Sequence, residues 1–172
     1  DAVSLSEANA LNLLTDGKIT LNKVEDGKAN VTTLAGINNA LVDMGDAVVT
    51  ITDAVSLSEA NALNLLTDGK ITINSVADTY ANIQDIKKIN DAQIDMGAAA
   101  VQVTSVTNKT EIDDLRTNDT TGDITVDSIS DNKDNLGTVN GYGNVSLAAA
   151  NISVADVVTK DQADVIHGYN TA

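Results

Sequence analysis

The 172-residue sequence has no cysteine, no proline, no phenylalanine and no tryptophan; Tyr80, Tyr142 and Tyr169 are its only large aromatic side chains. Without cysteine there is no disulfide framework and no thiolate metal site. Without proline, chain reversals fall to Gly, Asn and Asp. Without large rings, Ile, Leu, Val and Ala must supply nearly all the packing. That suits thin, regular layers of similar small side chains better than an irregular globule. Cationic residues are scarce too: 10 Lys and Arg stand against 25 Asp and Glu, a net charge of −15. Such a surface repels phosphate backbones, which argues against nucleic acid as a partner. No basic run addresses an anionic membrane surface. No apolar stretch approaches the roughly 20 residues of a spanning helix, so membrane insertion is not expected.

What the sequence does have is self-similarity. Residues 1–20, DAVSLSEANALNLLTDGKIT, recur letter for letter as residues 53–72, a period of 52. The correspondence continues beyond that block. Val24, Asp26, Ala29 and Asn30 return as Val76, Asp78, Ala81 and Asn82, and Asp43, Met44 and Gly45 as Asp95, Met96 and Gly97. A diverged third copy follows: ITVDSISDNKDNL at 124–136 overlays ITINSVADTYANI at 71–83, with one residue inserted before it. A fourth begins with ISVADVVTKDQADVI at 152–166. The copies are taken as 1–52, 53–104, 105–151 and 152–172, one continuous array. An array interrupted at both ends is expected to be a piece of a longer one.

Each copy parses into four elements. A helix is expected from about Ser6 to Leu14, with Ser6 as N-cap, Glu7 in the first turn where the helix dipole favours a carboxylate, and Gly17 as its stop. Ala8, Leu11 and Leu14 form its apolar face. A short strand follows, in which Ile19 and Leu21 alternate with Thr20 and Asn22. The next helix is opened by Asp26, Asp78 or Asp131 as cap, with apolar faces Val31, Leu34, Ile37 and Ile83, Ile86, Ile89. In the third copy Gly137, Gly141 and Gly143 predict a loop or a shortened helix here. A second strand carries Val49 and Ile51, then Val101 and Val103, then Ile152 and Val154. The fold class expected is therefore an α/β repeat: a solenoid of strand–helix–strand–helix units of about 52 residues, with parallel strands and right-handed crossovers.

The stretches DTYANI (Asp78 to Ile83), DNKDNL (Asp131 to Leu136) and DGKANV (Asp26 to Val31) resemble the D-[ST]-x-A-N-[IL] helix starts of a family of tandem strand/helix repeats. Those repeats occur in very large secreted or cell-surface proteins of Gram-negative bacteria and cyanobacteria. The resemblance covers most of the chain. It implies adhesin-like, surface-layer-like or filament-forming bulk and no catalytic residues. Gly27 and Asn132 depart from the motif at the Ser/Thr position, and Asp134 at the Ala position.

Little in the sequence carries chemistry. Asn30, Asn82 and Asn135 share one repeat position. They read either as a buried ladder whose amides satisfy backbone groups or as exposed residues at a helix start. Carboxylates at loop ends are ligands that calcium prefers. Asp26, Asp78, Asp131 and, in the loop NDTTGD, Asp119 and Asp123 are the candidates for Ca2+. Against them, neither D-x-[DN]-x-[DN]-G nor a Gly-rich nonapeptide is present. His167 is the sole histidine and has no Ser or Cys motif beside it. No phosphate loop, dinucleotide fingerprint or HExxH occurs.

The expectation is a non-enzymatic structural or assembly protein of the bacterial cell exterior: a filament, surface-layer or adhesin-stalk segment that self-associates by repeat stacking, with no other cofactor. The alternative is a binding module that presents a flat repeated face to glycan or ice, or a spacer in a larger secreted protein. Thr20, Thr72 and Thr125 share a strand position and would favour ice; Thr50, Gln102 and Ser153 on the other strand do not.

Overall fold

The structure, a computed structural model, describes residues 1–37, 42–89 and 94–170. Thr171 and Ala172, the end of the fourth copy, lie outside them. The fold is mixed α/β, and every described strand pair is parallel. Two compact units divide the chain. One comprises Asp1–Val76 with Gln84–Met96, the other Ala77–Ile83 with Gly97–Ala172.

The first unit contains helices α1 (Leu5–Asn12), α2 (Lys28–Gly36) and α3 (Leu57–Asn64). Its strands are β1 (Ile19–Thr20), β2 (Lys23–Asp26), β3 (Val42–Asp43), β4 (Val48–Val55), β5 (Ile71–Asp78) and β6 (Ile94–Asp95). Helix α4 (Tyr80–Ile86) and the end of β5 cross the boundary between the units. Strand β2 pairs with β4 and β4 with β5, so neighbours in space are neighbours in sequence, each reached through a helix. The short strands make a second set of pairs, β1 with β3 and β5 with β6.

The second unit repeats this plan. Strands β7 (Ala100–Thr107), β8 (Ile124–Asp131) and β10 (Asn151–Val154) pair in that order, and β9 (Val145–Ser146) pairs with β8. Its helices are α5 (Lys109–Asp114), α6 (Lys133–Asn140) and α7 (Lys160–Tyr169). Val49 pairs with Ile71 and Ile51 with Ile73 in one unit; Val101 pairs with Ile124 and Val103 with Val126 in the other. The bulge recurs as well, one extra residue after Ile51 and one after Val103. A bulge re-aims a strand. Beyond it the buried pairs are Val55 with Val76 and Thr107 with Ile129.

Ser4 rather than Ser6 caps α1, and the helix ends at Asn12, well short of Gly17. The reason is the capping box, which needs a Glu or Gln three residues after the cap. Ser4 and Glu7 satisfy that spacing, as do Ser56 and Glu59, Asn108 and Glu111, and Thr159 and Gln162. Nor does Asp26 or Asp131 cap its helix; Gly27 and Asn132 hold that position and the aspartate precedes it. The third-copy helix is not lost to a loop: α6 has 8 residues, between the 7 of α4 and the 9 of α2. Gly137 lies within it, and Gly141 only follows its last turn. Leu136 and Val139 supply the buried face that Val31 and Leu34 supply in α2 and Ile83 and Ile86 in α4. Helices this short are marginal in isolation and depend on that packing.

Candidate functional site

The aspartates of the family-like motif tie one helix start to another. The Asp26 carboxylate accepts from the Gly27 N–H and the Asn30 side-chain amide, both at 2.8 Å, and from the Leu5 N–H at the head of α1 at 3.0 Å. Asp131 does the same in the second unit. It accepts from the Asn132 N–H and the Asn135 amide at 2.8 Å, and from the Lys109 N–H at the head of α5 at 2.9 Å. Asp78 holds the Thr79 N–H and the Asn82 amide. Partial burial pushes the Asp26 and Asp131 carboxyls up, but the hydrogen bonds from Leu5, Asn30 and Gly27, and from Lys109, Asn135 and Asn132, outweigh it. Both carboxyls lie below the ordinary aspartate value.

The intervening helices are held in kind: the Lys28 N–H donates to Asp53, the Tyr80 N–H to Ser105 and the Lys133 N–H to Asp156. Orphan N–H groups at a helix start need such acceptors. The asparagines therefore meet carboxylates rather than backbone. Asn30 is exposed, while Asn82 and Asn135 are half-buried.

Three N–H donors thus meet each of the Asp26 and Asp131 carboxylates, and two meet that of Asp78. Asp119 is buried at the end of a π-helical turn (Leu115–Asp119), and Asp123 is exposed on the far side of Thr120. Among the described residues no three acidic or histidine side chains converge as a metal site. His167 is exposed near the end of α7. The threonines of the strands do not line up as a uniform row: Thr72 sits beside Thr50, but Thr20 sits beside Asp43, and Thr125 between Gln102 and Ser146.

A second recurrent joint lies in residues that sequence reasoning passed over. The turn after β3 delivers carbonyls to the segment after α3. The Thr67 hydroxyl donates to the Ala47 carbonyl at 2.7 Å and meets that of Gly45 at 3.0 Å, and the Asp68 N–H donates to Gly45 at 2.6 Å. In the second unit the Thr120 hydroxyl donates to Ala99 and the Thr121 N–H to Gly97. Gly69 and Gly122 complete the joints, because a Cβ at either would overlap the carbonyl oxygen of Ala47 or Ala99. Thr67 and Thr120 are buried. The available signal was the shared T-x-G spacing, whose first-copy glycine, Gly17, reads as a helix stop and whose third copy reads as a metal loop.

One cluster is not repeated. Its core is Arg116, the single arginine of the chain. The guanidinium lies 3.8 Å from the centroid of the Tyr142 ring, and its Nε donates to the Asn144 side chain at 3.0 Å. The Tyr142 hydroxyl donates to Asp113, which also pairs with Lys109; those two bonds, the lysine's first, hold the Asp113 carboxyl low. Tyr80 donates to Asp114, and burial followed by that carboxylate pushes its phenol up to about 12. A phenol so raised stays protonated at neutral pH and serves as a donor, not as a base. The carboxylates of the cluster accept these hydrogen bonds and the Lys109 ion pair. Comparison with protein-family models, with curated proteins and with solved structures finds no match.

Proposed function

We propose that this chain is a segment of a solenoid of 52-residue units that serves as structural bulk on the exterior of a bacterial cell, as a filament, surface-layer or adhesin-stalk element. The observation that carries the reading is the duplicated joint. The bond set between Gly45–Ala47 and Thr67–Gly69 returns 52 or 53 residues later between Gly97–Ala99 and Thr120–Gly122. An interface used twice with the same atoms can be used any number of times, which a solenoid requires and a globule has no reason to keep. The equal strand registers and the recurring aspartate clamps support it further. The strongly acidic surface suits a protein that stays soluble while long.

The test is to lengthen the array. Inserting further copies of residues 53–104 after position 104 should extend the particle by about 10 Å per copy, two strand spacings, at constant cross-section. Small-angle scattering reads both quantities. Growth in all directions would end the solenoid reading. Association between chains is a separate part of the proposal: sedimentation at high concentration, with and without calcium, should show oligomers. A strict monomer leaves only the stalk version standing.

A further inference from the structure

The strand pairs β1–β3 and β5–β6 are each bridged by a lysine and an aspartate. Lys18 pairs with Asp43 at 2.5 Å and Lys70 with Asp95 at 2.6 Å, all four side chains substantially exposed. The corresponding pair of the third copy is β8–β9, in the matching register: Ile124 opposite Val145 and Thr125 opposite Ser146, as Ile71 is opposite Ile94 and Thr72 opposite Asp95. There the bridge cannot form. Asp123 stands where Lys70 would be and Ser146 where Asp95 would be. The same copy carries the inserted residue, and the chain absorbs it in the π-helical turn Leu115–Asp119, closed by the Thr120 N–H on the Leu115 carbonyl at 2.9 Å. The Thr120–Gly122 joint thereby stays in register.

We propose that an arginine–tyrosine–asparagine lock replaces the lysine–aspartate bridge in the third copy and frees this strand pair from dependence on salt. Arg116, on the π-helical turn, holds Asn144 through its Nε and covers the Tyr142 ring. Asn144 in turn fastens the start of β8 twice: its side-chain amide donates to the Gly122 carbonyl at 2.9 Å, and its own carbonyl accepts from the Ile124 N–H at 2.7 Å. Tyr142 is steadied by its bond to Asp113. Each link is a short-range contact of a charge with a dipole or a ring, or a neutral hydrogen bond, and all four side chains are half-buried. An exposed ion pair between long, mobile side chains is screened by salt; the lock offers mobile ions far less to screen. Arg116 is a positioning residue acting through Asn144.

Amide hydrogen exchange on the whole chain tests this. In the unaltered chain, raising sodium chloride from about 0.05 to 1 M should speed exchange of the β1–β3 and β5–β6 amides by up to roughly fivefold and leave the β8–β9 amides unchanged. Arg116→Ala should speed the β8–β9 amides by roughly tenfold or more without moving those of β1–β3. Adding Asp123→Lys and Ser146→Asp to Arg116→Ala should restore protection at low salt and make it salt-sensitive. The proposal is overturned if the β8–β9 amides of the unaltered chain respond to salt like the others. It is equally overturned if Arg116→Ala leaves them unmoved. The salt comparison needs no variant and stands whether or not the variants fold.

Discussion

Residues 1–20 and 53–72 have the same sequence, yet only some of their positions are covered alike. Some positions behave alike in both. Ala8 and Ala60 are fully buried, Leu13 and Leu65 are almost fully exposed, Ser4 with Glu7 and Ser56 with Glu59 close capping boxes, and Gly17 and Gly69 each donate to the threonine hydroxyl two residues earlier. Others part company. Leu11 is 41% exposed where Leu63 is 2%, Thr15 is exposed where Thr67 is buried, and Val3 and Ile19 are half-covered where Val55 and Ile71 are sealed. The first group is local structure, which travels with the sequence. The second group records the neighbouring half-unit, which does not.

That division can be broken or sharpened by paired substitutions. Leu63→Ala removes a fully packed side chain and should cost about 2–5 kcal/mol, whereas Leu11→Ala should cost about 1 kcal/mol or less. Urea unfolding of the two variants measures the difference, and equal losses would mean that the preceding half-unit contributes nothing. Gly69→Ala drives a methyl group into the Ala47 carbonyl and should cost roughly 1–3 kcal/mol. Gly17→Ala meets only the Thr15 hydroxyl at 3.3 Å and should be neutral or stabilising by up to about 1 kcal/mol. Thermal melting of that pair reads opposite signs. Thr67→Val strands the Ala47 carbonyl in a buried joint, at about 1–3 kcal/mol; Thr15→Val, at the exposed copy, should fall within about 0.5 kcal/mol of the unaltered chain.

The smallest effect concerns pH. Asp26 and Asp131 titrate below their ordinary value of 3.8, so the unfolded chain binds protons that the folded chain refuses. Their contribution is whole above pH 3.8 and is lost as pH falls through the depressed folded values. Denaturation midpoints taken at descending pH should therefore drop in that acid window, and Asp26→Asn should flatten part of the drop. An unchanged profile in that variant would show the clamp on Leu5 to be idle.

Much of this was legible beforehand. The alternation of Val49 with Ile51 and of Ile71 with Ile73 gave strands, and the three-residue spacing of Ile83 with Ile86 gave a helix face, because each periodicity is a property of backbone geometry alone. The parallel pairing followed from helical crossovers. Ser4 was missed in favour of Ser6 because two serines flank the same turn, and only the distance to Glu7 separates them. Gly17 was read as a helix stop, but its counterpart Gly69 matters through the oxygen atom pressed against it, which lies 22 residues away in the chain. The third-copy helix was discounted for its glycines, although Leu136 and Val139 find the same buried seat as their counterparts and packing overrode propensity. The motif aspartates were weighed as metal ligands because a carboxylate in a loop advertises charge, while one of the N–H groups that meet Asp26 and Asp131 comes from the head of another helix.

By itself the sequence determined the period, the strand and helix positions to within a turn, the capping spacing and the acidic surface, since all of these rest on neighbours within a few residues or on composition. Only the tertiary structure decided which identical residues become core, that Thr67, Gly69 and their third-copy counterparts are joints, and that Asp26 and Asp131 clasp the heads of other helices. The reason is distance along the chain. Burial, close approach and hydrogen-bond partnership here link residues some 20 to 30 positions apart, and a repeat written twice in the same letters carries no mark of how each copy is covered.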